Sequence, residues 1–263
     1  MESTHKSSLS CRNPGLVILS LALFVAPLFA ADTMDEPAKA PKNVHLHYLA
    51  AGKPDAATLL APPPQLNSPE QSADMAIVRS VSQAAPANDT AMALSEKSFS
   101  VYTFAPVVGS FFQSNTLSKT TAFFERVQTD AEIVTDKGKE FFKRPRPYTT
   151  DPALASGKLE KSFSYPSGHS TESMVLALVL AEVFPDKHEA IIARAREIGW
   201  HRIEIARHYP TDIYAGRVLA QAIVRKMNDN ADFQKDLAEA KKEISSAFQM
   251  AKETAKPLAT TAH

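Results

Sequence analysis

Apolar residues along this chain recur at helical spacing far more often than they alternate. Met75, Val78 and Val81 set a helical period that follows an extended, polyproline-like stretch, Leu59 to Ser68, containing Pro62, Pro63 and Pro64. Further helical periods run through Ser95 to Ser114, Thr121 to Phe142, Thr171 to Phe184 and His188 to Arg207. Pro210 sits where a missing amide costs nothing and opens another helix over Tyr209 to Lys226. Val175, Leu176, Leu178, Val179 and Leu180 make one stretch almost continuously apolar, which predicts a helix at the centre of the fold. From Asp232 a tail carries Lys and Glu at helical spacing, and the one alternating stretch is the short Val44 to Leu49. The expectation is an all-α fold, a compact multi-helix bundle without internal repeats. Phe123, Phe124 and Trp200 are read as core aromatics.

The two ends depart from this pattern. Residues 1–30 place Lys6 and Arg12 before the apolar run Gly15 to Ala30, with small residues at Ala30 and Ala31, and this reads as a cleaved signal peptide. The run is sixteen residues long, just under the roughly 17 to 25 of a spanning helix, so the competing reading is a single membrane anchor; once the segment is cleaved, no stable membrane insertion is expected. Residues 31–47 read as a flexible leader, 48–248 as one helical domain, and 249–263 as a disordered tail.

Composition narrows the partners. With 263 residues, 44% hydrophobic and 22% charged, the chain holds one good-sized core. Its 29 basic and 29 acidic residues provide no general field for nucleic acid and no polybasic membrane patch, so any anion site must be local. Cys11, the single cysteine, leaves with the signal segment, and the mature chain then has no disulfide. Nothing in the sequence decides for or against a homo-oligomer.

Three clusters can carry chemistry, although each alone has a plainer explanation. The basic run from Lys137 to Tyr148, containing Lys139, Arg144 and Arg146, could simply complement a helix C-terminus. The turn Pro166-Ser167-Gly168-His169 could simply cap the apolar helix; it would also bring free amides, a hydroxyl and an imidazole to one place, as an anion site requires. In the segment from Arg202 to Asp212, the carboxylate lies four residues beyond His208 and could fix one imidazole nitrogen so that the other presents its lone pair. Together they supply cations, an amide-rich turn, a nucleophile and an acid, which is what phosphoryl transfer asks of a protein without any metal or cofactor. His45 and His47 could share a strand face, but no third ligand is near them in the sequence and no metal site is assigned.

The order and spacing of these clusters resemble the type 2 phosphatidic acid phosphatase superfamily, whose signature is K-x6-R-P, P-S-G-H and S-R-x5-H-x3-D. Within it the chain looks most like the secreted class A non-specific acid phosphatases of bacteria, over about residues 48 to 228. The resemblance implies an all-helical fold of the acid phosphatase and vanadium haloperoxidase type. It implies that His208 attacks phosphorus, Asp212 orients it, and His169 protonates the leaving alkoxide. Lys139, Arg146 and Arg202 would bind the phosphoryl oxygens of a small phosphate ester, helped by the Ser167 hydroxyl and the Gly168 amide. Lys137 with Arg144-Pro145 has the same spacing as Lys139 with Arg146-Pro147; the later pair is preferred because soluble members end in R-x-R-P. The family's Ser before the third-motif arginine is His201 here, and together with Arg207 it would add positive charge beside the site and widen the preference toward polyanionic substrates.

The function expected is an exported acid phosphatase in the periplasm or outside the cell. Alternatives are a lipid phosphate or pyrophosphate phosphatase of the same superfamily, a vanadate-dependent haloperoxidase, and a non-catalytic exported phosphate-binding protein.

Overall fold

The computed structural model describes residues 45–254; the signal segment, most of the leader and the end of the tail lie outside the described residues. Within that range every regular element is helical and no strand occurs. Short α1 (Ala56–Leu59) leads to α2 (Pro69–Ala84) and α3 (Ala87–Ser95). Then come α4 (Ala105–Val108), the long α5 (Ser118–Phe142) and α6 (Pro147–Thr150). The remainder is α7 (Gly168–Val183), α8 (His188–Glu204), α9 (Pro210–Asn228) and α10 (Ala231–Thr254).

Helix α7 is the axis of the bundle. It packs against α5, α8 and α9, and α10 covers the outer side of α5. Val175, Leu176, Ala177, Val179 and Leu180 have no exposed surface, as expected of a helix that is apolar all round. Each fully buried Val or Leu is worth about 1.5–3 kcal/mol, so this one helix holds a large share of the core. Phe123 and Phe124 join it from α5.

The helix ends place the three motifs. Helix α5 stops at Lys143, which takes a left-handed backbone (φ 48°) while its N–H still bonds Lys139 O at 2.9 Å. The prolines that follow then carry the chain away from the helix axis. Ser167 caps α7, its Oγ accepting from Ser170 N at 3.4 Å. Helix α8 ends in a turn in which Ala206 is left-handed (φ 52°) and the amides of Arg207 and His208 both bond Arg202 O, at 2.8 and 3.2 Å. That turn brings His208 back beside the start of α7. Gly216 in α9 permits the approach, because a Cβ there would stand 2.9 Å from Ser167 O and 3.0 Å from Thr171 N.

The structure corrects five expectations. Ser95 to Ser114 is not one helix: a 3-10 turn at Val101–Phe104 and the four-residue α4 take its place, because Ser100 caps a new start and Gly109 (φ 136°) breaks the run. The described part of Val44 to Leu49 is not a strand, since the amides of His47, Tyr48 and Leu49 all donate to the buried Asp130 carboxylate at 2.7, 2.8 and 3.0 Å. Helix α8 stops at Glu204, short of Arg207. Trp200 is not a core aromatic but 42% exposed on α8. Helix α10 reaches Thr254, six residues into the tail expected to be disordered.

Candidate active site

Lys139, Arg146, Gly168, His169 and His208, drawn from all three motifs, line one cavity of about 340 Å³. Among the described residues no cluster of His, Cys, Asp and Glu has the arrangement of a metal site.

His208 lies 2% exposed at the bottom. Its Nε2 is 3.2 Å from Arg146 Nη1, and because a guanidinium can only donate while the Asp212 carboxylate beside Nδ1 can only accept, the two contacts together assign the lone pair to Nε2. The proton then resides on Nδ1, which faces Asp212 Oδ2 at 3.3 Å and Ser164 Oγ at 3.4 Å. Burial, then the charges of Arg146, Arg202 and Lys139, hold the His208 pKa well below its usual value despite the opposing pull of Glu160, so the imidazole is neutral.

Asp212 has no exposed surface and is fixed from every side. Its Oδ2 accepts from Ser164 Oγ at 2.5 Å and from Tyr209 N at 2.9 Å, and its Oδ1 accepts from Arg144 Nη1 at 2.6 Å. Burial raises its pKa, and Arg144, Ser164 and the Tyr209 amide act in the opposite direction.

The two basic registers thus go to different places. Arg144 points away from the cavity, donating to Asp212, to Thr211 Oγ1 at 2.7 Å, to Gln71 Oε1 at 2.6 Å and to Asp74 Oδ2 at 2.7 Å, with its guanidinium 4.0 Å above the Tyr209 ring. Its partner in the same register, Lys137, is exposed. Arg146 reaches the cavity, held by Ser162 O (2.8 Å), Ser162 Oγ (3.0 Å) and Arg207 O (3.0 Å). Lys139 Nζ bonds Asp136 Oδ1 at 2.8 Å and would lie 3.3 Å from a Cβ at position 168, close enough that a side chain there would press on the ammonium. Arg202 does not line this cavity but the neighbouring one of about 560 Å³, and it meets the His208 cavity through Glu160, its Nη2 donating to Glu160 Oε1 at 2.8 Å and its buried Nε without a partner.

His169 is the second imidazole at the cavity. Its Nε2 lies 3.0 Å from the Glu96 carbonyl oxygen, which can only accept, so Nε2 is protonated and Nδ1 is the atom free to gain a proton. Burial, then Arg202, with smaller effects of Lys139 and Arg146, lowers its pKa to about 3, although the Glu96 bond works against them.

Not every expected residue faces the cavity. The Ser167 hydroxyl is fully buried and serves as the cap of α7. His201 does not line the cavity: its Nδ1 is 2.6 Å from Glu96 Oε2. Arg207 spends its guanidinium on the carbonyls of Ser156 (2.5 Å) and Lys158 (3.3 Å). His45 and His47 are exposed on the surface.

Sequence reasoning did not find Arg144 as the anchor of Asp212, Ser164 as its hydroxyl donor, or Glu160 between the two arginines. Glu172, which also lines the cavity, bonds Gln128 at 3.1 Å, and burial pushes its pKa up to about 7. The serine was foreseeable, being three residues before Ser167; the contacts of Arg144 with Asp212, Glu160 with Arg202 and Glu172 with Gln128 span 68, 42 and 44 positions.

Residues 128–228 match the PAP2 superfamily, a span that contains all three motifs. An acid phosphatase of Zymomonas mobilis is 30% identical over 198 residues, 72% of this chain and 75% of that protein. A non-specific acid phosphatase of Providencia stuartii is 33% identical over 124 residues, 45% of this chain, and the chain spans half of its length. A lipid A 1-phosphatase of Rhizobium etli is 42% identical over 53 residues, 20% of this chain and 23% of that protein. The crystal structure of a transmembrane PAP2-type phosphatidylglycerolphosphate phosphatase from Bacillus subtilis aligns at 20% identity with a TM-score of 0.46, over 66% of this chain and 89% of that one. The chain belongs to the PAP2 superfamily. No helix among the described residues is long and apolar enough to cross a membrane.

Proposed function

We propose that the protein is an exported acid phosphatase that hydrolyses phosphate monoesters through a phosphohistidine on His208. The observation that carries this reading is the neutral, buried His208 with Nδ1 turned to Asp212 and Nε2 turned to Arg146 in a cavity lined by Lys139, Gly168 and His169. In the first step the Nε2 lone pair forms a bond to phosphorus and the bond to the ester oxygen breaks. The alkoxide takes a proton from His169 Nδ1, and Asp212 stabilises the positive charge developing on the His208 ring. In the second step His169 takes a proton from water, the resulting hydroxide attacks phosphorus, the bond from phosphorus to Nε2 breaks with its electron pair returning to the ring, and inorganic phosphate leaves with His208 restored.

In the free protein His169 is neutral because it is buried and because Arg202, Lys139 and Arg146 repel a proton. A bound phosphoryl anion cancels that repulsion, so His169 becomes a proton donor only when substrate is present. The same cations neutralise charge spreading over the phosphoryl oxygens in the transition state, the main contribution a protein makes to this reaction.

Hydrolysis of p-nitrophenyl phosphate at acidic pH should persist in chelator and disappear in His208→Ala, and rapid quenching during turnover should trap an acid-labile phosphorylated histidine. Undiminished turnover in His208→Ala would overturn the reading. A panel that includes a lipid phosphate alongside soluble monoesters tests the substrate class. Export rests on the apolar run of residues 15–30 and is tested by fractionating cells that express the full chain.

A further inference from the structure

The anion cradle already holds an anion belonging to the chain. One oxygen of Glu160 accepts from Arg202 Nη2 at 2.8 Å and the other pairs with Arg146 Nη1, the same nitrogen that lies 3.2 Å from His208 Nε2. A carboxylate spanning two guanidinium groups reproduces two of the contacts that a phosphoryl group would make with them. Although burial acts to raise its pKa, the guanidinium groups of Arg146, Arg202 and Arg207 hold Glu160 below the usual carboxylate range.

The surroundings leave this carboxylate able to move. Glu160 lies on the irregular segment between α6 and α7, where the Tyr148 hydroxyl clamps its backbone, donating to Glu160 O at 2.8 Å and accepting from Glu160 N at 3.2 Å. The side chain itself is 32% exposed, against 4% for Arg146 and 2% for Arg202. It stands between the 340 Å³ cavity and a neighbouring one of about 560 Å³ lined by Lys97, Lys158 and Lys161. A side-chain rotation about a fixed backbone would move the carboxylate off Arg146 and out of the His208 cavity into that second space, where Lys97, Lys158 and Lys161 offer it other cations beside Arg202.

We propose that Glu160 determines substrate affinity as an internal competitor: its carboxylate occupies the Arg146 and Arg202 pair and is displaced by the phosphoryl group of an incoming ester. This rests on the reading of the His208 cavity as the phosphoryl site. A competitor differs from a residue that merely positions the arginines, because removing a competitor strengthens anion binding and removing a positioning residue weakens it.

The test compares wild type with Glu160→Gln, which keeps the shape and loses the charge, and with Glu160→Asp, which keeps the charge but is one methylene too short to span both guanidiniums. Steady-state hydrolysis of p-nitrophenyl phosphate and calorimetric titration with inorganic phosphate are read together. Glu160→Gln should lower both KM and the phosphate Kd at least tenfold with little change in kcat, and Glu160→Asp should fall between it and wild type. A KM that is unchanged or raised while wild type turns over normally overturns this inference alone. If Glu160→Gln does not fold, Glu160→Asp decides: tighter phosphate binding than wild type supports the competitor, and equal or weaker binding overturns it. Absence of both turnover and phosphate binding in wild type overturns the phosphatase reading and this inference with it.

Discussion

Arg144 and Arg146 are two residues apart, equally charged and equally buried, yet their replacement should have opposite signatures. Arg144→Ala removes four charge-assisted hydrogen bonds of 2.6–2.7 Å and leaves Asp74 and Asp212, 5% and 0% exposed, without their countercharge. Breaking a buried pair from one side costs about 3–5 kcal/mol, because the remaining carboxylates keep their desolvation penalty. For a domain of this size, with each kcal/mol shifting the melting point by about 2–4 °C, the variant should melt about 6–20 °C lower. Arg146→Ala deprives Glu160 of one partner, but that carboxylate keeps Arg202 and is already 32% exposed to water. The stability loss should then be about 1–2 kcal/mol, the scale of a few partly buried hydrogen bonds. Activity should reverse the order, with Arg146→Ala losing about 100- to 1,000-fold in kcat/KM, as expected for removing one donor aimed at the transition state. Urea and thermal melts with p-nitrophenyl phosphate kinetics on both variants provide the comparison. An Arg146→Ala protein that is as unstable as Arg144→Ala and still fully active would refute the assignment of the two arginines.

Three other outcomes follow from the same contacts. Gly216→Ala should cost about 1–3 kcal/mol in urea unfolding and reduce turnover, since its methyl would stand 2.9 Å from Ser167 O and push the turn that carries Gly168 and His169; an unaltered midpoint and rate would contradict the close approach. Lys143→Gly should stabilise the protein by up to about 1 kcal/mol, because Lys143 is exposed, caps α5 and holds a left-handed backbone that glycine adopts without strain. Stability should also depend on His169: its pKa is about 3 in the fold and 6.5 ordinarily, so between those values the unfolded chain binds a proton that the native state refuses. Stability therefore falls as pH is lowered from about 6.5 toward 3 and rises as pH is raised, with this one group contributing at most about 1.4 kcal/mol per pH unit, and urea midpoints of His169→Gln should show a shallower slope. An identical slope in that variant would show that His169 is not held neutral.

Much of the architecture was legible because it depends on near neighbours in the chain. The all-α class, the central place of α7 and the starts of α7 and α9 follow from apolar spacing and from the capping preferences of Ser167 and Pro210, which act within one or two helical turns. The errors arose where local signals compete. A helical period across Ser95 to Ser114 does not reveal that Ser100 and Gly109 interrupt it, and the alternation in Val44 to Leu49 does not reveal that a carboxylate 80 positions away takes its amides.

The sequence by itself determined which residue types could meet at a site and in what order along the chain: His208 four residues before Asp212, a Ser-Gly-His turn at a helix start, and a basic run with two equal registers. Tertiary structure alone decided which cation serves which purpose. Arg144 was claimed by Asp74 and Asp212 and Arg146 by the cavity, a choice made by packing partners some 60 to 70 residues distant. It likewise made a structural cap of the Ser167 hydroxyl, turned His201 toward Glu96, and put Glu160 between Arg146 and Arg202. The physical reason is that a buried charge must find a partner wherever the fold supplies one, and that supply is a property of the folded surface around it rather than of its neighbours in sequence.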